Sequence, residues 1–231
     1  MLLQWVLEEY FGHVFLSRPF LVPRRDRQDP CLVVDLSALN SHIECHHFRM
    51  VTLKQVRETL LPHSWLTSLD LANAYWHVPI GPRFRSYLAV QNCSRVLCFT
   101  VLPFGLNIGS RVFTKIMKTL ASMLADVNIR IMYLDDWLVQ GSSREEAQAA
   151  TTRTVSISEF LGFHFNFPKS RLEPTQDLQW LGMWWDTQIS TIRLSEDNRR
   201  RVLQRVRRAS WSTTFTHCMW TRLMGSLTFA A

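Results

Sequence analysis

The sequence predicts an α+β fold. Two observations carry that reading: strand-length apolar runs interleave with helix-period segments, and several of those runs lie close enough together to pair as hairpins. A doubly wound parallel sheet would alternate one strand with one helix. The apolar content, 47%, is that of a globular chain and too high for a disordered one.

FLVP (20–23) and CLVVDL (31–36) read as strands around the charged loop RRDRQD. TLKQVRETL (52–60) has helical spacing, with Val51, Leu53, Val56 and Leu60 on one face. SWLTSLDLANAYWHVPI (64–80) gives a strand ending near Leu69 and then a turn. YLAVQ (87–91) and VLCFTVL (96–102) form a hairpin, and Pro103 and Gly105 break the chain after it. A helix begins after Ser110, its period marked by Val112, Phe113, Ile116, Met117, Leu120, Met123, Leu124 and Val127. IRIMYLDDWLV (129–139) follows, then a polar helix near 143–159. Phe163 to Phe167 and Leu178 to Asp186 read as short strands. Ser195 is a good N-cap for a last helix with Val202, Leu203, Val206 and Ala209 along one side.

The chain has 231 residues, which suits one large domain or two small ones. No apolar stretch is long enough to cross a membrane. Glu8 and Glu9 stand where a signal peptide would be basic and then apolar, so an intracellular location, cytoplasm or nucleus, is expected. Cys31, Cys45, Cys93, Cys98 and Cys218 form no CxxC pair and are an odd number, against a disulfide framework and a cysteine-rich zinc site. Segment 42–47, with His42, Cys45, His46 and His47, lacks a second ligand pair at usable spacing and reads as a polar loop.

The net charge is +7, and only four of the 26 cations are lysine. Arginine favours bidentate phosphate contacts, so the balance points toward nucleic acid. Residues 193–208 concentrate seven arginines against Glu196 and Asp197. That run suits a solvated helix face or a helix lying along a phosphate backbone.

The chemistry centres on IMYLDDWLV. Apolar runs flank two residues, the spacing of a two-residue hairpin with Asp135-Asp136 at its apex. Such turns want Asn-Gly or Asp-Gly, and two adjacent carboxylates break that rule, as functional sites often do. Hard oxygen ligands on a rigid mount suit magnesium. Asp70, at the end of an apolar strand, supplies a third carboxylate, and three carboxylates can hold two metal ions for in-line phosphoryl transfer.

SLDLANAYWHVPI, LPFGLNIGSRVFTKIM, IMYLDDWLV, FNFPKS and LQWLGMWWDT follow one another in the order of the reverse-transcriptase palm motifs, and FLVPRRDRQDPCLVVDLSALN resembles the fingers segment. The resemblance covers residues 14–187. YLDDWLV and the arginine of SRVFTK look most like the DIRS group of tyrosine-recombinase retrotransposons, with a gypsy-like element second. It implies a right-hand polymerase fold: fingers and palm over 14–187, with an antiparallel sheet and packed helices, and the start of a truncated thumb or connection over 188–231. The chain reads as a fragment.

The resemblance also implies roles. Asp70, Asp135 and Asp136 match the catalytic metal ligands, with the Leu71 carbonyl as an extra ligand, for two Mg2+ ions that Mn2+ can replace. Tyr75 matches the position whose ring excludes a 2′-hydroxyl, which selects dNTPs over ribonucleotides and argues against an RNA-dependent RNA polymerase. Lys169 matches a lysine near the triphosphate, a proton donor to pyrophosphate. Phe104 and Gly105 match the loop beside the nascent base pair, and Arg25 the phosphate-reaching basic turn. Trp180 and Gly182 fall in a primer-grip-like strand pair, where Trp184 and Trp185 suit the core. Arg200, Arg201, Arg205 and Arg208 fall where a thumb would meet the nucleic-acid backbone. The implied partners are an RNA or DNA template with primer, dNTPs, and other domains of a retroelement polyprotein such as RNase H or a recombinase; no membrane is implied.

Two departures stand out. Four residues before the fingers aspartate, Asp35, the family usually carries an arginine, and here it is Cys31. The usual Lys-Lys-Asp-Gly turn reads Arg24-Arg25-Asp26-Arg27, which loses the glycine suited to positive φ. These favour the alternative of an inactive polymerase-derived fragment that only binds nucleic acid.

Overall fold

A computed structural model describes residues 6–23, 31–44, 47–48, 50–124, 129–211 and 216–230. Its strands in chain order are β1 (Leu7–Glu9), β2 (Leu16–Val22), β3 (Cys31–Asp35), β4 (Trp65–Asp70), β5 (Ala89–Asn92), β6 (Arg95–Phe99), β7 (Ile129–Tyr133), β8 (Asp136–Gly141), β9 (Arg171–Thr175), β10 (Asp177–Trp180), β11 (Met183–Asp186) and β12 (Thr191–Leu194). The helices are α1 (Ser37–Asn40), α2 (Leu53–Thr59), α3 (Pro82–Arg85), α4 (Gly109–Met123), α5 (Arg144–Phe160), α6 (Glu196–Trp211) and α7 (His217–Ala230), with a 3-10 turn at Ala74–His77. Three sheets form, ordered β1-β6-β5-β2-β3, β7-β8-β4-β9 and β10-β11-β12. All pairs are antiparallel except β2 with β5. The fold is α+β.

The four-stranded sheet is buried on both sides, because β8 alternates large apolar residues. Trp137 and Val139 pack with Phe113, Met117 and Leu120 of α4. Leu138 faces the other way, with Leu66 of β4, Val56 of α2, and Trp180 and Trp185 of the β10–β11 hairpin. A second core under the five-stranded sheet, built on Leu36, Leu39, Leu88, Val90 and Phe99, meets the first at Ile80 and Leu106.

Helix α5 lies close on the four-stranded sheet despite its polar sequence. Ser143 caps it by accepting the Glu146 N–H (3.1 Å), and Glu145 and Glu146 occupy the positive first turn. Its buried face is Ala147, Ala150, Thr151, Thr154 and Ser158. Small residues allow the close approach, and the two threonine hydroxyls are satisfied locally, Thr151 and Thr154 donating to the carbonyls of Ala147 and Ala150 (both 2.7 Å), whereas the Ser158 hydroxyl has no partner among the described residues.

Three expectations change. Phe163–Phe167 is not a strand: the Phe163 N–H closes the end of α5 on the Ser158 carbonyl and a turn begins at Asn166, whose carbonyl accepts from Lys169 and Ser170, so only a single bridge forms between Leu71 and Phe165. β1, β9 and β12 form where no strand was expected. On α6, Val202 and Ala209 are half-buried but Leu203 and Val206 remain 44% and 38% exposed, so the apolar side is only partly covered. Ser195 does cap that helix, accepting the Asn198 N–H at 3.4 Å. No helix among the described residues is long and apolar enough to cross a membrane.

Candidate active site

The strand pair β4–β8 brings the acidic residues together. Its register runs from Trp65 opposite Gly141 to Asp70 opposite Asp136. Directly opposed residues of an antiparallel pair project to the same face, so Asp70 and Asp136 end the ladder side by side. Tyr133 of β7 is also opposite Asp136, so the two-residue turn is Leu134-Asp135, not Asp135-Asp136. The correction has a physical cause: pairing with Asp70 draws Asp136 into the ladder. The strained position passes to Leu134, which has φ +52. A leucine there costs on the order of 1–3 kcal/mol, which surrounding contacts must hold. Trp137 Nε1–H donates to the Leu134 carbonyl (3.1 Å) and Leu71 N–H to the Asp135 carbonyl (2.9 Å).

Burial, then the Asp135 and Asp70 carboxylates, push Asp136 up to about 6, with Lys169 opposing. Burial also raises Asp70; Asp135 adds to it, while Lys169 and a hydrogen bond from the Asn166 side chain oppose. The loop 163–170 supplies this relief. Its Asn166 N–H donates to the Asp70 carbonyl (2.7 Å), and the Asp70 N–H donates to Ser170 Oγ (3.0 Å). Lys169 follows in the same turn, exposed, its N–H donating to the Asn166 carbonyl (2.9 Å). Asn166 and Ser170 were not singled out from sequence, although both lie in or beside the FNFPKS segment that drew attention to Lys169. Among the described residues, no group of three or more His, Cys, Asp or Glu side chains gathers at metal-holding spacing.

Tyr75 sits in the 3-10 turn just beyond β4, half-buried. Its ring meets Phe104 (centroids 4.8 Å) and Phe113 (5.4 Å), and its hydroxyl bonds Ser110 Oγ at 2.7 Å. Phe104 is 50% exposed. Gly105 has φ +94, and its carbonyl accepts from Asn40 Nδ2 (2.8 Å) while Asn40 Oδ1 accepts the Asn107 N–H (2.9 Å). Asn40 thus clamps the loop that carries Phe104. Asp35 is exposed and accepts the Ser37 N–H (3.0 Å) at the start of α1.

The remaining candidates lie away from the carboxylates. Trp180 is 4% exposed and packs with Trp185, so its ring offers no face to solvent. Trp185 is buried and Trp184 half-buried. Gly182, at φ +73, turns the hairpin, and its carbonyl accepts from Ser195 N–H (3.1 Å) and Asn198 Nδ2 (3.0 Å). That docks the start of α6 on the hairpin. Arg200, Arg201, Arg205 and Arg208 are exposed on α6; Arg200 pairs with Glu196 (3.2 Å) and Arg205 bonds Ser226 of α7. Arg25 lies outside the described residues, as do Arg24, Asp26, Arg27, Cys45, His46 and the side chain of Cys31.

A family model for the reverse transcriptase (RNA-dependent DNA polymerase) matches residues 24–185. Protein P of duck hepatitis B virus (isolate brown Shanghai duck S5) is 27% identical over 203 residues, which is 83% of this chain and 25% of that protein. The retrovirus-related Pol polyprotein from transposon 412 of Drosophila melanogaster is 24% identical over 123 residues, 53% of this chain and 10% of that protein. The chain therefore spans about a quarter or less of the curated relatives it matches. Among solved structures, the foamy viral protease-reverse transcriptase dRH in complex with double-stranded DNA superposes with a TM-score of 0.82 at 18% identity, over 99% of this chain and 38% of that one.

The fold is that of the fingers and palm of a right-hand polymerase. The chain belongs to the reverse transcriptase (RNA-dependent DNA polymerase) family.

Proposed function

We infer that this chain is the polymerase portion of a retroelement reverse transcriptase, extending a primer with dNTPs on an RNA or DNA template. The observation that carries the reading is the pairing of Asp70 with Asp136 beside a tight turn that holds Asp135. In this reading residues 14–187 are fingers and palm and 188–231 begin the thumb or connection. The wording of YLDDWLV and SRVFTK favours the DIRS group, with a gypsy-like element second.

The donor chemistry fits a divalent metal, although the three carboxylates do not gather at metal-holding spacing in this structure. The carboxylates are hard oxygen donors, and burial together with mutual repulsion leaves Asp136 in need of a neutralising cation. Asp70, Asp135, Asp136 and the Leu71 carbonyl would hold two Mg2+ ions, or Mn2+ in their place. When bound, such ions activate a primer 3′-hydroxyl and neutralise the triphosphate. The chain's own residues do the rest. Tyr75, braced by Phe104, Phe113 and Ser110, stands against the sugar and excludes a 2′-hydroxyl. Phe104 and Gly105 border the nascent base pair. Lys169 faces the triphosphate from the opposite loop as proton donor, and the sequence resemblance assigns Arg25 a phosphate contact. The Gly182 turn seats the primer strand with Trp180 as its buried support, and Arg200, Arg201, Arg205 and Arg208 follow the duplex backbone. The similar foamy viral structure was solved in complex with double-stranded DNA, which supports a duplex partner. RNase H and recombinase domains are further partners in a polyprotein.

Cys31, in place of a triphosphate-gripping arginine, favours a second reading: a polymerase fold that binds nucleic acid without extending it. Extension of a primed RNA template with dNTPs and magnesium, comparing the chain with Asp135→Ala, separates the two. Extension that depends on Asp135 establishes the enzyme; duplex binding by both proteins with extension by neither establishes the second reading.

A further inference from the structure

His77 closes the turn that carries Tyr75 and is unused in the reading above. Its half-buried ring lies against Phe163, centroids 5.3 Å apart. Both ring nitrogens are engaged. The His164 N–H points at Nε2 (3.0 Å), and Nδ1 lies 3.1 Å from the Ala74 carbonyl. An amide N–H only donates and a carbonyl only accepts, so these partners fix the tautomer: Nε2 accepts and Nδ1–H donates. The ring has one way to sit, and it sits between two segments.

Those segments are the Tyr75 turn and the loop 163–170. Two backbone bonds join the same loop to the end of β4, Ala72 N–H to the His164 carbonyl (2.9 Å) and Asn166 N–H to the Asp70 carbonyl (2.7 Å). Any sequence can make those two. The bond to His77 depends on a side chain, and it reaches the turn rather than the strand. Burial holds the imidazole below the usual histidine range; the facing His164 ring, 5.8 Å away, adds to this and the Ala74 bond opposes it.

We propose that His77 is a positioning residue, a latch whose neutral imidazole locks the Tyr75 turn to the loop bearing Asn166 and Lys169. The proposal deepens the polymerase reading and rests on it for its kinetic consequence. It sets the distance between the group proposed to face the sugar and the group proposed to face the triphosphate. Loss of the latch lowers kcat for dNTPs and relaxes discrimination against ribonucleotides, while dNTP KM changes little.

The test uses the full chain, its His77→Phe variant and its His77→Gln variant. Phe keeps the ring contact with Phe163 and loses both hydrogen bonds; Gln Oε1 can accept where Nε2 did. Amide hydrogen exchange, which needs no polymerase activity, reads the latch directly. The His164 amide is expected to exchange about fivefold faster in His77→Phe and to recover in His77→Gln. In the parent chain its protection, corrected for intrinsic exchange chemistry, is lost on acidification as His77 protonates, and in His77→Gln it is not. Primer extension should fall in kcat with His77→Phe and return with His77→Gln. Equal exchange in all three proteins, or a kcat loss that Gln does not rescue, overturns the proposal. Should His77→Phe fail to fold, His77→Asn takes its place, since Asn can keep the Ala74 bond and lacks the reach to His164. Absence of extension by the parent chain would overturn the polymerase reading, and the exchange result would still decide the latch.

Discussion

Asp70 and Asp136 are register partners, the last opposed pair of the β4–β8 ladder, with the Asp135 carbonyl bonded to the next N–H along, that of Leu71. Two carboxylates are thereby held against each other by backbone geometry, with the Lys169 charge only partly offsetting their repulsion. That arrangement destabilises the metal-free fold and has a measurable cost.

Asp136 is raised from 3.8 to about 6 in the folded chain. Between those values the folded state binds more protons than the unfolded state, so metal-free stability must fall as pH rises through that window. Asp136→Asn removes the half-buried charge. At pH 7 without divalent ions it is expected to stabilise the fold by about 1–2 kcal/mol, after a discount for the group's partial exposure, or a few degrees in Tm. Thermal melts from pH 4 to 8 in chelator check this. A Tm that does not change across the window, or an Asp136→Asn variant less stable than its parent, would contradict it.

Gly141 ends β8 beneath α5. A Cβ on it would lie 2.8 Å from Ala147 Cα and closer still to Ala147 N, so the obstacle is helix backbone and cannot swing aside. Gly141→Ala should lift α5 off the sheet and cost about 1–3 kcal/mol, read by denaturant titration. The substitution lies at the far end of β8 from Asp136, so residual activity in the folded fraction should be intact.

Tyr75 separates a stability role from a selectivity role. Tyr75→Phe removes only the bond to Ser110 and should cost about 1 kcal/mol, with sugar discrimination kept. Tyr75→Ala removes the ring that meets Phe104 and Phe113, and should raise ribonucleotide incorporation. Competitive incorporation of dNTP against ribonucleotide is the measurement, and unchanged discrimination in Tyr75→Ala would remove the residue from the sugar-facing role.

The arginines of α6 differ in how free they are. Arg205 bonds Ser226 of α7, whereas Arg208 is exposed in the last turn of α6. If α6 follows a phosphate backbone, Arg208→Ala should reduce the slope of log affinity against log salt by about 0.9, the loss of one neutralised phosphate. Fluorescence anisotropy of a labelled duplex over a salt series gives that slope, and an unchanged slope would take Arg208 off the backbone.

Much of this was legible in the sequence. The α4 period placed Phe113, Met117 and Leu120 in the core, where they lie; Met123 is 57% exposed at the helix end, and Val127 lies outside the described residues. Strand β4 ends one residue beyond the expected Leu69, and the hairpin strands Ala89–Asn92 and Arg95–Phe99 overlap the expected runs, each reaching one residue further into the turn. These elements follow from periodicity, which is a local property. The α5 helix was legible too, although its buried face of Ala, Thr and Ser carries almost no hydrophobic signal.

What the sequence alone determined was a part of the elements, among them β3, β4, the β5–β6 hairpin, α4 and α5, and the identity of the acidic residues, because side-chain period, capping and turn chemistry are written within a few neighbours. What only the tertiary structure decided was register. The hairpin could place Asp135-Asp136 or Leu134-Asp135 at its turn, and the choice fell to a strand some sixty residues earlier, since Asp136 takes its place by pairing with Asp70. The loop 163–170 was settled in the same way. Its strand-like sequence yields to a helix end on one side and a turn from Asn166 to Ser170 on the other, while bonds to the end of β4 and to His77 bring Asn166 and Lys169 to the site. Hydrogen bonds between distant segments carry no local signature, and here they assemble the chemistry.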